Sequence, residues 1–437
     1  MKSSSVAART VNRNWLVYFI FCAVIFLSAC GEEENEEAEG ITLEMTAWGD
    51  TAELEVYQKA VDAFNEEHPN IHVNLTPTPS DTYQQRLMTQ LQGGEAPDIF
   101  YAQPQMMSIL VDTNTIEPLD DFMNSDESYA HPEEFADGLW GASRVNGQIF
   151  GAPVDNNPLL IYYNRGLLNE LGIKTPQEYY EEDDWNWDSF REVSEELQAN
   201  GHGGLVLQAN WDQVASWVFS NGGELYNDEG EPVMDKDPKT QEAMEFIEDM
   251  INDDLITYGG GLTSGQGEDT LFVSEVNGMI SGGRWFVPSL SQVEELDYDF
   301  IPYPTNTGNK MEPAGIGSAY MVANKDSEHK EEALKFLSYY VSESSQDVRL
   351  SGTGNAVPSV KGIDEVVTEA DEPDHVEYLI DAREIGVVNS SQASVPGLDT
   401  EMMDFYELFM TGQMSAEEML NESAESARLL RNEYVED

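Results

Sequence analysis

Aromatic and polar side chains stand together at the ends of two predicted strands. Trp48 and Asp50 follow the alternating segment ITLEMTA, and Tyr101 ends the short apolar segment PDIFY. An aromatic ring can stack on an apolar C–H face, while carboxylates, amides and guanidinium groups satisfy hydroxyls. These residue types suit the binding of a hydroxylated small molecule. Asp50 also has a structural explanation, because its D-x-x-E spacing with Glu53 predicts a helix capping box.

The motifs of common hydrolases and phosphate-binding enzymes do not occur in the sequence. His68 and His72 are four residues apart, but Pro69 interrupts the helical face that an H-x-x-x-H metal site needs. There is no G-x-S-x-G sequence, no P-loop and no cysteine after Cys30. We therefore expect no metal, no cofactor and no catalysis. With 83 acidic residues, carboxylate pairs arise by chance, so a secreted glycoside hydrolase stays open as an alternative.

The charge balance separates this chain from nucleic-acid-binding proteins. Its 437 residues include 83 acidic and 21 basic ones, for a net charge of −62. Such a surface repels phosphate backbones, so no nucleic-acid partner is expected. At about 1 M salt the Debye length falls to about 3 Å, which screens the repulsion within the molecule. We interpret the composition as halophilic adaptation; an acidic protein without a special niche is the alternative.

The N-terminus has the pattern of a bacterial lipoprotein signal. Three basic residues precede an unbroken apolar run at residues 15–27, which is shorter than the roughly 20 residues of a membrane span. The sequence LSAC follows and matches the lipobox, in which Cys30 is lipidated and becomes the first mature residue. We predict a signal peptide over residues 1–29. An ordinary signal peptide with a chance cysteine is the alternative.

An acidic tether is expected between this anchor and the folded part of the chain. Residues 31–40 contain six glutamates and no large apolar side chain, so they repel one another and cannot pack. We predict the tether over residues 30–40. Because residues 41–437 contain no second apolar span, the body is expected outside the cytoplasmic membrane, held only by the lipid on Cys30.

Strand and helix patterns alternate along the body and predict an α/β fold with a largely parallel sheet. After Asp50, helical spacing places Tyr57, Val61 and Phe64 on one face. Asn186 and Asp237 are predicted to begin later helices, the second with Pro238 in its first turn. The last hundred residues are predicted to be mostly helical.

A family resemblance rests on eight short segments taken in order. They are WGD (48–50), AFNEEHPN (63–70), GEAPDIF (94–100), GQIFGAP (147–153), LIYYN (160–164), GMISGGRW (278–285), YP (303–304) and EALKFL (332–337). In this order and spacing they resemble family 1 of the bacterial extracellular solute-binding proteins, which includes the maltose receptors. The resemblance covers residues 41–432.

The resemblance implies a two-lobed α/β fold, periplasmic-binding-protein-like, with a hinge and a ligand cleft between the lobes. It places the chain crossings near residues 153–157, 314–318 and 357–362, so both lobes are discontinuous. The expected division is residues 41–154 plus 318–357 for lobe 1 and residues 155–317 plus 358–437 for lobe 2.

The resemblance also assigns site residues. Trp285 follows the turn Gly282-Gly283, where the family often has a cleft aromatic, and Trp211 matches a stretch that carries a sugar-stacking ring. Packing within a core is the alternative for both. Gln103 and Gln105 stand where the maltose receptors have charged ligand residues. The full predicted ligand-binding set is Trp48, Asp50, Tyr101, Gln103, Gln105, Asp155, Asn157, Trp211, Arg284 and Trp285.

Taken together, the resemblance implies a monomeric receptor that captures a mono- or oligosaccharide for an ABC importer. Its partners would be two permease transmembrane subunits and a cytoplasmic ATPase. The same fold with a non-sugar ligand, such as a compatible solute, a peptide or a glycerophosphodiester, is the main alternative. Arg284 keeps an acidic sugar group open as a ligand.

Overall fold

The computed structural model describes residues 40–262, 267–370 and 373–436. The predicted signal peptide, Cys30 and the tether up to residue 39 lie outside these ranges. Within them, no helix combines the length and apolar character needed to cross a membrane.

Twelve strands are present in the described residues. In chain order they are β1 (Ile41–Trp48), β2 (Ile71–Thr78), β3 (Ile99–Ala102), β4 (Arg144–Val145), β5 (Gln148–Ile149), β6 (Ala152–Pro158), β7 (Leu160–Asn164), β8 (Gly203–Leu207), β9 (Ile256–Tyr258), β10 (Asn277–Gly282), β11 (Tyr298–Ile301) and β12 (Ile316–Ala323).

Eighteen α-helices in the described residues surround these strands. They are α1 (Thr51–Glu67), α2 (Ser80–Gly93), α3 (Pro104–Asp112), α4 (Asp120–Met123), α5 (Arg165–Leu171), α6 (Pro176–Glu181), α7 (Trp187–Ala199), α8 (Trp211–Ser220), α9 (Pro238–Asn252), α10 (Glu268–Val273), α11 (Val287–Leu290), α12 (Lys330–Tyr340), α13 (Glu343–Leu350), α14 (Glu365–Thr368), α15 (Glu377–Ile385), α16 (Ser390–Ala393), α17 (Leu398–Met410) and α18 (Ala416–Glu436). The predicted α/β class and the helical C-terminal region are confirmed.

Local sequence signals explain where several helices begin. Asp50 and Glu53 form the predicted capping box of α1, and Asp237 caps α9 with Pro238 in its first turn. Asn186 caps α7 as predicted. The apolar face of α1 buries Tyr57, among others, against the core. These helices are positioned by residues at their own ends.

Ten of the twelve strands form two five-stranded sheets, and β4 and β5 form a separate antiparallel pair. Sheet 1 has the order β2-β1-β3-β12-β6, and Sheet 2 has the order β11-β7-β10-β8-β9. In Sheet 1, β1 runs parallel to β2 and β3, whereas β12 runs antiparallel to both β3 and β6. In Sheet 2, β8 is parallel to β9 and β10, whereas β7 is antiparallel to β10 and β11. The prediction of a largely parallel sheet is wrong, because β6, β7 and β12, which pass between the sheets, pair antiparallel with their neighbours.

The direct passage from β6 into β7 brings the two sheets edge to edge. Only Leu159 separates the strands, and its N–H donates to the carbonyl of Gly315, 2.9 Å away, just before β12. Strand β6 ends at the edge where β1 and β3 end, and β7 begins at the edge where β8 and β10 end. The carboxyl edges of both sheets therefore face each other, and we call the space between them the interlobe cleft.

A buried ion pair fixes the strand that carries this passage. Arg349 Nη1 lies 2.6 Å from Asp155 Oδ1, and Arg349 Nη2 donates to the carbonyl of Val154 at 2.8 Å. Both side chains are buried. Burial raises the pKa of Asp155, and the adjacent guanidinium opposes that rise. Helix α13 is thereby attached to β6.

We expect Arg349→Met to lower the free energy of unfolding by about 3–5 kcal/mol, because it leaves a buried carboxylate without its cation. Urea unfolding followed by circular dichroism measures the loss. The control is Lys174→Met, which breaks the exposed Lys174–Glu182 pair and should cost about 1 kcal/mol or less. Equal losses in the two variants would contradict the structural role of the buried pair.

Candidate functional site

Asp50 connects the two sides of the interlobe cleft. Its Oδ1 accepts from the Glu53 N–H at 2.9 Å, which caps α1. Its Oδ2 accepts from the Ser289 hydroxyl at 2.5 Å, and Ser289 lies in α11 between two strands of Sheet 2. Both roles considered for Asp50 are therefore compatible with the structure, because the capping residue also faces the opposite lobe.

Glu53 is a functional candidate that the sequence analysis missed. Burial raises the pKa of its carboxyl to about 8, although the hydrogen bond from the Asp50 N–H lowers it. The negative charges of Asp50, Asp155 and Asp269 raise it further. Asp269 lies in α10 on the Sheet 2 side, and burial raises its pKa as well. The D-x-x-E pattern indicated only the cap, since the facing carboxylates come from distant segments.

Trp48 presents a half-buried ring at the end of β1. Its ring centroid is 5.1 Å from that of Tyr83 and 5.3 Å from that of Tyr101, both in edge-to-face geometry. Tyr101 itself is fully buried, and its hydroxyl is 3.1 Å from the hydroxyl of Tyr340. Tyr101 thus supports Trp48 from the core, and Trp48 is the ring that reaches the cleft.

Gln103 and Gln105 lie at the start of α3, directly after β3. The Gln105 amide nitrogen donates to the Gln103 side-chain oxygen at 2.9 Å, and both side chains are partly exposed. Because they follow β3, both residues lie at the carboxyl edge of Sheet 1. This pair can supply both donors and acceptors to a hydroxylated ligand.

Trp285 is the corresponding ring on the other side. It follows β10 in the 3-10 turn Arg284–Phe286 and is half-buried. A Cβ atom on Gly317 would lie 3.1 Å from Cζ3 of the Trp285 ring, so the absence of a side chain at Gly317 lets the ring lie over β12. Trp48 and Trp285 therefore stand at the facing edges of Sheets 1 and 2.

Arg284 points away from the cleft. Its guanidinium donates to the carbonyls of Leu350, Gly352 and Ala356 at 2.7–3.0 Å, and the side chain is buried. Its backbone N–H donates to Asn157 Oδ1 at 3.0 Å. These contacts join the end of β10 to the loop after α13. They explain Arg284 and Asn157 without a ligand, in contrast to the hydroxyl or acidic-sugar contact predicted for Arg284.

Trp211 begins α8 at the carboxyl end of β8. Its ring is 2% exposed, and its Nε1–H has no hydrogen-bond partner within the described part of the chain. The adjacent Asp212 is a functional candidate that the sequence analysis missed. Burial and the charge of Asp399 raise the pKa of its carboxyl to about 7. Nothing in the sequence distinguishes Asp212 from the other acidic residues.

The predicted residues thus form two groups. Trp48, Asp50, Gln103, Gln105 and Trp285 lie at the facing sheet edges with exposed surface. Trp211 lies there with an indole N–H that has no partner among the described residues. The others, Tyr101, Asp155, Asn157 and Arg284, are buried and bonded within the protein. A ligand-binding role stays a prediction for all ten.

Comparison with known proteins places the chain among binding proteins. A family model described as "Bacterial extracellular solute-binding protein" matches residues 48–347. A putative binding protein of Brucella abortus is 26% identical over 65% of this chain and 67% of its own length. The multiple sugar-binding protein of Streptococcus mutans is 23% identical over 78% of this chain and 81% of its own.

Solved structures give the same fold. An ABC substrate-binding protein of Listeria monocytogenes in complex with cycloalternan has a TM-score of 0.77 at 20% identity and covers 90% of this chain and 99% of its own. The maltose-bound MalE3 protein of T. maritima has a TM-score of 0.73 at 22% identity. The match covers 90% of this chain and 100% of the MalE3 chain. The predicted two-lobed, periplasmic-binding-protein-like fold is confirmed.

The raised pKa of Glu53 predicts a pH dependence of stability. Between about pH 4.5 and 8 the folded protein keeps the Glu53 proton while the unfolded chain loses it, so stability falls as pH rises. Over this pH range, the free energy of unfolding of Glu53→Gln should fall by on the order of 1–3 kcal/mol less than that of the wild type. Glutamine keeps the cap of α1 but has no titrating group.

Urea unfolding of both proteins between about pH 5 and 9 measures this difference. Glu55→Gln, which removes an exposed carboxylate from the same helix, is the matched control and should leave the slope unchanged. The assignment is wrong if Glu53→Gln and the wild type show parallel pH profiles.

Proposed function

Because the chain belongs to the family of bacterial extracellular solute-binding proteins, we propose that it is the receptor of an ABC importer for a mono- or oligosaccharide. The observation that carries the sugar assignment is the pair of half-buried rings, Trp48 and Trp285, at the facing edges of the two sheets. Each ring can stack on the apolar face of a sugar, and Gln103 and Gln105 can bind its hydroxyls.

The charges around the cleft favour a neutral ligand. Asp50, Glu53 and Asp269 come close together from the two sides, whereas the nearby guanidinium groups of Arg284 and Arg349 are occupied inside the fold. An anionic solute would meet carboxylates without a compensating cation. A sugar hydroxyl can instead donate to the Asp50 carboxylate in a charge-assisted hydrogen bond, whereas Glu53 keeps its proton at neutral pH.

Ligand binding is expected to favour the closed arrangement of the lobes. A ligand shifts an equilibrium between open and closed forms only if it binds one form better, which requires contacts with both lobes. Trp48 and Asp50 would act from lobe 1 (residues 41–154 plus 318–357). Trp211 and Trp285 would act from lobe 2 (residues 155–317 plus 358–437).

The cellular setting belongs to the same proposal. The protein is a monomer without catalytic activity or cofactor, anchored outside the cytoplasmic membrane by a lipid on Cys30. The closed, loaded form docks on two permease subunits that a cytoplasmic ATPase drives. The net charge of −62 supports adaptation to high salt, where repulsion between the acidic side chains is screened.

We expect one saccharide class to raise the melting temperature of the purified protein. Ligand at 100 times Kd adds about 2.7 kcal/mol of stability, a shift of a few degrees. The panel contains mono- and oligosaccharides, glycine betaine, short peptides and glycerophosphodiesters, each at low and high salt. A shift only with a non-sugar class would keep the receptor and refute the sugar assignment.

We also expect Trp48→Ala and Trp285→Ala each to weaken saccharide binding by about 1–3 kcal/mol, which is the loss of one stacked ring. Isothermal titration calorimetry measures the change in Kd. Tyr129→Ala is the control, because Tyr129 is an exposed ring beside His68, which lies just before the start of β2 and therefore away from the carboxyl edge of Sheet 1. Unchanged affinity in both tryptophan variants would refute the proposed site.

A further inference from the structure

One hydrogen bond crosses the interlobe cleft between segments that are distant in the sequence. The Ser289 hydroxyl donates to Asp50 Oδ2 at 2.5 Å, although the two residues are 239 positions apart. Asp50 follows β1 of Sheet 1, and Ser289 lies in α11, after β10 of Sheet 2. Helices α1 and α11 also pack against each other beside this bond. We call the Asp50–Ser289 hydrogen bond the interlobe latch.

The Ser289 hydroxyl contributes to contact between the two sides and not to its own helix. Within the described ranges, its side chain makes no hydrogen bond besides the one to Asp50. The nearby Ser291 behaves differently, because its hydroxyl donates to the carbonyl of Pro288 in the same segment, 3.1 Å away. The latch is therefore a bond that exists only while the two sides touch.

The latch offsets a repulsion that arises when the two sides come together. Asp269 lies in α10 on the Sheet 2 side, and burial and the charge of Asp50 raise the pKa of its carboxyl. Two carboxylates brought close from opposite sides disfavour each other's charge. Asp50 Oδ1 accepts the Glu53 N–H on its own side, and Ser289 supplies the donor for Oδ2 from the opposite side. This charge-assisted hydrogen bond stabilises the contact.

The latch lies next to the two rings proposed to stack on the ligand. Trp48 and Asp50 are two residues apart at the end of β1. Trp285 and Ser289 are four residues apart in the continuous helical turns over residues 284–290, and residues at this spacing lie on one helical face. Each side of the latch therefore comes from the same short segment as one of the rings, and contact between the latch residues brings the rings toward each other.

We propose that the interlobe latch keeps part of the ligand-free molecules in the closed form, and that Ser289 thereby sets the affinity for saccharide without contacting it. This inference rests on the proposed saccharide receptor and adds a positioning residue to its site. A ligand that binds only the closed form has an apparent Kd equal to its intrinsic Kd divided by the closed fraction. Loss of the latch therefore raises Kd by the factor by which the closed fraction falls.

The first measurement is the closed fraction without ligand. Donor and acceptor dyes at Glu66→Cys in α1 and Glu245→Cys in α9, both exposed positions, report on the two sides. The protein otherwise carries serine in place of Cys22 and Cys30, so that the dyes attach only at these two positions. Single-molecule fluorescence energy transfer then gives the proportions of open and closed molecules.

Three variants separate the latch from general effects on α11. Ser289→Ala removes the donor, Ser289→Thr keeps a hydroxyl, and Ser291→Ala is the matched control. We expect Ser289→Ala to lower the closed fraction about fivefold and the other two to stay within about twofold of the wild type. A closed fraction unchanged in Ser289→Ala, or a wild type without closed molecules when no ligand is present, would overturn the proposal.

Isothermal titration calorimetry links the latch to binding. For each saccharide that raises the melting temperature of the wild type, Kd should rise in Ser289→Ala by the same factor by which the closed fraction falls. A different factor would mean that Ser289 contacts the ligand or does not act through closure, and would also overturn the proposal. If no saccharide binds, the sugar assignment fails, whereas the measurement without ligand still decides whether the latch exists.

Discussion

The direction of the strands that pass between the lobes is the constraint on which the rest of the structure depends. Strand β6 runs into β7 with Leu159 alone between them, and β12 lies beside β6 throughout the passage. This continuity turns the carboxyl edges of the two sheets toward each other. Loops that follow parallel strands therefore meet in one cleft, as is general for binding sites in α/β sheets. Trp48, Gln103, Trp211 and Trp285 lie at the carboxyl ends of strands β1, β3, β8 and β10 for that reason.

Basic residues are scarce in this chain, and two of them, Arg349 and Arg284, stabilise the region where β6 passes into β7. Arg349 pairs with Asp155, and Arg284 donates to three backbone carbonyls at the end of α13 and in the loop after it. Buried guanidinium groups are costly unless their donors are satisfied, and both are held by several hydrogen bonds, with only Nε of Arg349 left without a partner among the described residues. What remains at the cleft surface is aromatic, amide and carboxylate, a combination that matches neutral hydroxylated ligands.

Features fixed by neighbouring residues could be predicted from the sequence. The capping box of Asp50 and Glu53, the start of α9 at Asp237 and the alternation of strands and helices all depend on local chemistry, and all are confirmed. The expectation for Trp285, in contrast, came from the family resemblance, in which an aromatic residue often follows the glycine turn. The destination of the Arg284 side chain could not be predicted, because its acceptors lie more than sixty residues away in the chain.

The same limit applies to the acidic groups of the cleft. The raised pKa of Glu53 depends on Asp155 and Asp269, which the fold brings near from other segments. Residue type alone does not distinguish these side chains from dozens of similar ones on the surface.

The central claim is that a saccharide binds between the lobes and holds them closed. Spin labels at Glu66→Cys in α1 and Glu245→Cys in α9, both exposed positions, report on the two lobes in a protein whose Cys22 and Cys30 are replaced by serine. Pulsed electron–electron double resonance measures the distance between the two spin labels. A saccharide that binds should shorten and narrow the distance distribution. An identical distribution with and without saturating saccharide would contradict the account.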